Sequence, residues 1–161
     1  MAPGFLDAWR ELGVGLAMWG SSEAALAALD RALTVAPGDA TSWNHKGVTF
    51  MRMSRPLDAL ACWDRVLELD VRHAGAARNR GAALQRLGRP KEEVLGAFTH
   101  ALELDDGHAA TWYSRGDCEL ALGHREDAAR SFQRCLDLPG ANAATRAAAE
   151  RHLAALAAPQ R

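Results

Sequence analysis

Isoleucine is absent from this chain and valine occurs only six times, against 34 alanines and 21 leucines. β-branched residues favour strands, whereas alanine and leucine are the strongest apolar helix formers. The shortage therefore argues against a sheet and for an all-α chain. Aromatics are scarce too, with five Trp, four Phe and one Tyr, so the core must combine small side chains with a few large anchors. No excess of charge of either sign exists, since 19 Lys+Arg face 20 Asp+Glu. That balance supplies no field to recruit nucleic acid or an anionic membrane. Three scattered cysteines, Cys62, Cys118 and Cys135, make neither a disulfide framework nor a CxxC pair, which points to a reducing, cytoplasmic setting. The opening Met1-Ala2-Pro3-Gly4-Phe5 lacks a basic segment leading into an apolar one, so no secretory leader is expected. The longest uncharged stretch near the start, Leu12 to Ser22, falls short of the ~20 residues that span a bilayer. No membrane insertion is expected. What is present is a globular composition, 48% hydrophobic and 24% charged, in 161 residues, about the length of one domain.

An internal period organises these residues. Gly13, Gly47, Gly81 and Gly116 are spaced by 34, 34 and 35 residues, and Trp9, Trp43 and Trp112 stand four places before three of them. Ala25, Ala59, Val94 and Ala128 form a second column, Leu29, Trp63, Phe98 and Phe132 a third, and Ala32, Val66, Ala101 and Cys135 a fourth. Within a unit the apolar spacing is helical, as in Trp9, Leu12, Leu16 and Trp19, then Leu26, Leu29 and Leu33. Gly20, Ser54, Gly88 and Gly123 supply stops between two helices of one unit. Pro56 and Pro90 fall at the first turns of second helices, and Pro37 and Pro139 follow second helices. The single extra residue of the third unit belongs to the Arg89-Pro90-Lys91 turn. The glycines should let paired helices approach closely, with the large third-column residues filling the space beside them.

This pattern resembles the tetratricopeptide repeat family, whose Trp, Leu-Gly, aromatic, Ala, aromatic and Pro positions appear as Trp9, Leu12-Gly13, Leu16, Ala25, Leu29 and Pro37. The resemblance implies a right-handed α-solenoid of four helix-turn-helix units, about 6–39, 40–73, 74–108 and 109–142. A capping helix follows at about 142–157, and the whole makes one domain over 1–161. Asn142 would cap that helix, Ala149, Leu153 and Leu156 would form its apolar line, and Arg146, Glu150 and Arg151 would face water. Departures are confined. Lys46, Arg80 and Arg115 replace Leu12 in later units, their stems covering apolar surface while the charge reaches water. Glu119 stands where Leu16, Phe50 and Leu84 stand, which unsettles the packing of the fourth unit.

Catalytic chemistry finds no motif. The six histidines include no i, i+4 pair, and the chain has no GxxxxGK[ST], GxSxG or helix-opening GxGxxG. No catalytic residue, metal site or cofactor is expected. Cys135 and Cys118 read as packed thiols, and Cys62 as the one that reaches the surface. The columnar tryptophans read as core, and Trp19 lies outside the columns.

The resemblance also implies a concave groove lined by first helices, where the family binds extended or helical peptides. The inherited lining is Arg10, Val14 and Met18 from the first unit, and Asn44, His45, Val48, Met51 and Arg52 from the second. The third gives Arg78, Asn79, Ala82, Gln85 and Arg86, and the fourth Tyr113, Ser114 and Asp117. Relatives that clamp the carboxylate tails of heat-shock chaperones use a fixed Lys, Asn and Arg set. Here those places hold Arg10, Val14, His45, Gly75 and Asn79, or one unit along Asn44, Val48, Asn79, Ala110 and Ser114. Neither register keeps the set, which disfavours that ligand. Arg52, Arg78 and Arg86 beside Val48, Met51 and Ala82 suit a protein segment carrying carboxylates next to apolar residues. The expectation is a non-enzymatic adaptor with a protein or peptide partner. The alternatives are a self-assembling structural module that forms homo-oligomers, and the targeting domain of a larger enzyme.

Overall fold

The computed structural model describes residues 4–158, so the Met1-Ala2-Pro3 part of the opening segment lies outside the described residues. Those residues form nine helices and no strand. In chain order they are α1 (Gly4–Met18), α2 (Ser22–Val35), α3 (Ala40–Arg52), α4 (Pro56–Leu69), α5 (Ala74–Arg86), α6 (Lys91–Leu104), α7 (Ala109–Ala121), α8 (Arg125–Asp137) and α9 (Ala143–Ala157). They divide into two compact units, Met1–Leu87 with α1–α5 and Gly88–Arg161 with α6–α9. The fold is all-α, as the composition requires.

The stops work through backbone geometry. Gly20, Ser54, Gly88 and Gly123 all take positive φ, at 84°, 57°, 66° and 82°. The residue after three of them closes the helix by bonding back five places: Ser21 N–H to Leu16 O, Arg55 N–H to Phe50 O and His124 N–H to Glu119 O. This is the Schellman closure, which favours glycine because a side chain is strained there. Three starts, those of α3, α5 and α9, are capped by side chains at one further repeating position. Asp39 accepts from Ser42 N–H at 2.9 Å, His73 Nδ1 from Ala76 N–H at 3.1 Å and Asn142 Oδ1 from Thr145 N–H at 2.9 Å. Pro56 opens α4 as expected, while Pro90 is the residue just before α6. The α5–α6 connection is one residue longer than the α1–α2, α3–α4 and α7–α8 connections, which locates the extra residue of the third unit.

In the first unit, α1 pairs with α2 and α3 with α4, while α2 and α4 pack against the next first helices, α3 and α5. The glycine column explains the closeness. A Cβ at Gly13 would lie 2.7 Å from Leu29 Cγ, and one at Gly47 would lie 2.8 Å from the Trp63 indole. Ala25, Leu29, Ala59, Trp63 and Val66 are buried around these contacts. Burying each large apolar side chain contributes roughly 1.5–3 kcal/mol. Trp43 is only half-buried, because its Nε1 donates to Pro37 O at 2.9 Å and holds the edge of the ring outward. Lys46 differs from expectation, since its charge is held by neighbouring groups and not left to water. Its Nζ lies 5.1 Å from the Trp43 ring centre and 2.6 Å from Asp30 Oδ1.

In the second unit, α7 packs against α6, α8 and α9, and α8 against α9. A Cβ at Gly116 would meet the Phe132 ring at 2.9 Å, repeating the wedge. Glu119 is buried, at 2% exposure, and is satisfied there: Ser131 Oγ donates to Oε2 at 2.6 Å and Arg115 Nε to Oε1 at 2.8 Å. A hydrogen-bonded acid thus fills the position held elsewhere by Leu or Phe. In α9, Ala149 is buried and Glu150 and Arg151 are exposed. Arg146 differs from expectation, being half-buried with Nη1 donating to Leu136 O at 3.0 Å.

Candidate functional site

The sequence-named groove residues of the first unit lie on α1, α3 and α5, and α3 packs beside both of the other two. Along α3, Asn44, Val48, Met51 and Arg52 fall at i, i+4, i+7 and i+8, and α5 repeats the pattern with Arg78, Ala82, Gln85 and Arg86. Between these helices is an open pocket of about 420 Å³ lined by Val48, Met51, Arg52, Ser54, Trp63, Asn79, Ala82 and Arg86. Six of the eight are groove residues named from the sequence. Ser54 and Trp63 were not among them, since they come from a turn and from a second helix.

The pocket floor is fixed by a polar contact. Trp63 Nε1 donates to Asn44 Oδ1 at 3.0 Å, which ties the Asn44 amide oxygen to the indole. The walls carry unused positive charge. Among the described residues, Arg52 and Arg78 have neither an ion pair nor a hydrogen bond from the side chain, and Arg86 donates only to Ser54 Oγ, at 3.1 Å. Five other cations of the same unit are engaged, Arg10 with Asp7 and Asp39, Lys46 with Asp30, Arg55 with Asp58, Arg65 with Glu68 and Arg80 with Asp64, whereas the exposed Arg31 and Arg72, away from the pocket, have no side-chain partner among the described residues. Guanidinium groups without carboxylates beside an apolar wall can accept an anion by paired N–H donation.

The remaining sequence-named residues are dispersed. Arg10 is held in its ion pairs, Val14 is half-buried and Met18 exposed. Burial pushes the His45 imidazole below its ordinary value, Arg10 adds to the fall, and Glu11 and Asp39 oppose it. In the second unit Tyr113 turns toward the last helix, with its ring centre 5.6 Å from that of Phe132 and its hydroxyl 3.4 Å from His152 Nε2. Ser114 is half-buried, and Asp117 lies 3.9 Å from Lys91 Nζ. A separate pocket of about 430 Å³ between α8 and α9 is lined by Arg125, Glu126, Ala129, Leu153, Leu156 and Ala157, none of them named from the sequence as a groove residue.

One thiol expectation is corrected. Cys62 is 3% exposed and its thiol is pushed up to about 11, chiefly by burial, so it is a packed side chain and not a surface thiol. A further column, absent from the sequence reading, would have placed it: Ala28, Cys62, Ala97 and Ser131 recur at spacings of 34, 35 and 34, and all are buried. Cys118 and Cys135 are buried as expected, and burial raises both thiols. Among the described residues no group of three or more His, Cys, Asp or Glu is placed to hold a metal ion. No described helix is long and apolar enough to cross a membrane.

Helical hairpins with wedged glycines and left-handed stops define an all-α repeat protein of the α-solenoid class. A tetratricopeptide repeat family model matches residues 109–142, the stretch that holds α7 and α8. Solved structures agree on the fold. A crystal structure of MamA protein superposes with a TM-score of 0.82 at 18% identity, over 96% of this chain and 82% of that one. MamA from Desulfovibrio magneticus RS-1 gives 0.79 at 18% identity, over 94% and 93%. A thermophilic TPR protein of Thermus thermophilus gives 0.70 at 23% identity, over 94% and 80%. No curated protein matches the sequence.

Proposed function

We propose that this chain is a non-enzymatic scaffold that holds a segment of a partner protein against its first helices, and that the segment carries carboxylates beside apolar residues. The observation that carries the reading is the α3–α5 pocket, where Val48, Met51, Ala82 and Trp63 adjoin Arg52 and Arg86, neither of which meets a carboxylate among the described residues. Arg78 extends the same positive edge on α5. A protein partner suits this chemistry because an apolar wall contributes burial while the guanidinium fork fixes orientation.

Asn44 is a poor choice for probing the site, because its loss would free the Trp63 indole. Proteins captured from native extract by the wild-type chain should be lost when Arg52 and Arg86 are both changed to Ala. The captured segment, made as a peptide, should then bind at least tenfold more tightly than a version with Asp and Glu changed to Asn and Gln, and added salt should narrow that gap. Equal affinity for the two peptides at every salt concentration would remove the carboxylate from the reading. Capture that survives the double substitution would remove the pocket.

A further inference from the structure

Helix α1 carries an apolar stripe that nothing among the described residues covers. Phe5, Leu12 and Trp19 are 62%, 47% and 89% exposed, Ala8 is exposed, and a Cβ at Gly15 would meet nothing within 4 Å. These five positions alternate by three and four residues, the spacing of a helix–helix seam. Trp19 stays on the line although it follows the helix, because its N–H still bonds to Gly15 O at 3.1 Å.

The repeat register shows that this face is made to be covered. The positions equivalent to Ala8 are Ser42 and Ala76, both fully buried, and those equivalent to Gly15 are Thr49 and Ala83, at 1% and 0% exposure. In α3 and α5 this side packs against the preceding second helix, α2 or α4. At the place of Leu12 those helices carry Lys46 and Arg80, which pair with Asp30 and Asp64 of the preceding helix. Among the described residues no helix precedes α1, and it offers leucine at this place, not a cation seeking a carboxylate.

We propose that the α1 stripe is a self-association surface whose occupant is α1 of a second copy, lying antiparallel. The pattern is self-complementary. Large residues (Phe5, Leu12, Trp19) alternate with small ones (Ala8, Gly15), and antiparallel pairing sets Leu12 and Trp19 of each helix opposite Gly15 and Ala8 of the other, with Phe5 at the end of the seam. A two-fold pair of this kind closes on itself and stops at two copies. The area suffices: aromatic side chains bury about 150–250 Å² each, so each copy offers roughly 500 Å² and the pair roughly 1,000 Å², the lower range for specific association. A dimer with Kd in the micromolar range is the expectation. The surface is independent of the α3–α5 pocket, so either reading can fail without the other.

Sedimentation velocity of the 161-residue chain over a concentration series tests the proposal. The wild type should pass from monomer to dimer and no further. Leu12→Lys installs the residue that the register already tolerates at Lys46, so helicity and thermal midpoint should hold while Kd rises at least tenfold. Trp19→Ser, at a fully solvated turn position, should do the same. Leu57→Ser, an exposed apolar residue on α4 and outside the stripe, should leave the dimer intact. A wild type that stays monomeric at hundreds of micromolar overturns the proposal. So does a dimer indifferent to Leu12→Lys and Trp19→Ser, or growth beyond two copies, since an antiparallel pair leaves no free seam.

Discussion

Gly47 has no room for one more carbon. The ring it would strike is Trp63, and that ring cannot swing away because its Nε1 is bonded to Asn44 Oδ1. Gly47→Ala should therefore destabilise the protein by about 1–3 kcal/mol through overpacking, read as a lower urea midpoint with an unchanged slope. His45 makes a residue-scale statement about pH. Its folded pKa is lowered, first by burial and then by Arg10, so the fold prefers the neutral imidazole. On acidification the unfolded chain takes up its proton first, near the ordinary value of about 6.5. Stability should accordingly fall as pH drops through that region and level off below the folded value. His45→Gln should lose less stability than the wild type between pH 7.5 and pH 5.5, measured by urea titration at each pH.

Among elements, the α3–α4 hairpin is the one whose stop is not glycine. Ser54 sits at φ 57°, while Gly20, Gly88 and Gly123 hold the equivalent places. A left-handed conformation costs an L-residue roughly 1–2 kcal/mol, and glycine returns about 0.5–1 of that through its freedom when unfolded. Ser54→Gly should then raise stability by about 0.5–1 kcal/mol, visible as a higher thermal midpoint. Helix α7 presents the opposite case, a buried acid. Glu119→Ala strands the Ser131 hydroxyl and unpairs Arg115, a loss of about 1–3 kcal/mol, whereas Glu119→Leu with Ser131→Ala should cost less, because the buried hydroxyl leaves with its acceptor and the partly exposed Arg115 guanidinium can turn to water. Chemical denaturation of the two variants separates these outcomes.

At the scale of the whole chain, what the sequence disclosed is whatever repeats. Columns such as Gly13, Gly47 and Gly116 announce a close approach because the same need recurs with every hairpin, and the structure wedges all three against a large partner. Features that occur once were less legible. The Glu119–Ser131 bond joins two departures from separate columns, and only their proximity shows that they belong together. The pocket was readable in part: six lining residues follow from the family resemblance and its register, but Trp63 and Ser54 join them only through a tertiary arrangement that no spacing encodes. Conversely, Arg10 and Asn44 had the right positions and yet are engaged with partners inside the protein.

The whole-molecule charge makes the last prediction. A formal net charge of −1 gives no long-range attraction for an acidic segment, so the electrostatics of the proposed groove must come from Arg52, Arg78 and Arg86 at close quarters. Such contacts lie within one Debye length, about 8–10 Å at ordinary ionic strength, and act after encounter. Long-range steering would make the association rate fall steeply with salt, whereas short-range pairing acts mainly on dissociation. Stopped-flow mixing with the captured peptide should therefore give an association rate constant of about 10⁵–10⁶ M⁻¹s⁻¹ that changes less than threefold as salt rises from low to high. The dissociation rate should climb over the same range, and Arg52→Ala with Arg86→Ala should abolish that climb. A strongly salt-dependent association rate would instead mean that a steering field from a larger charged surface, and not these arginines, draws the partner in.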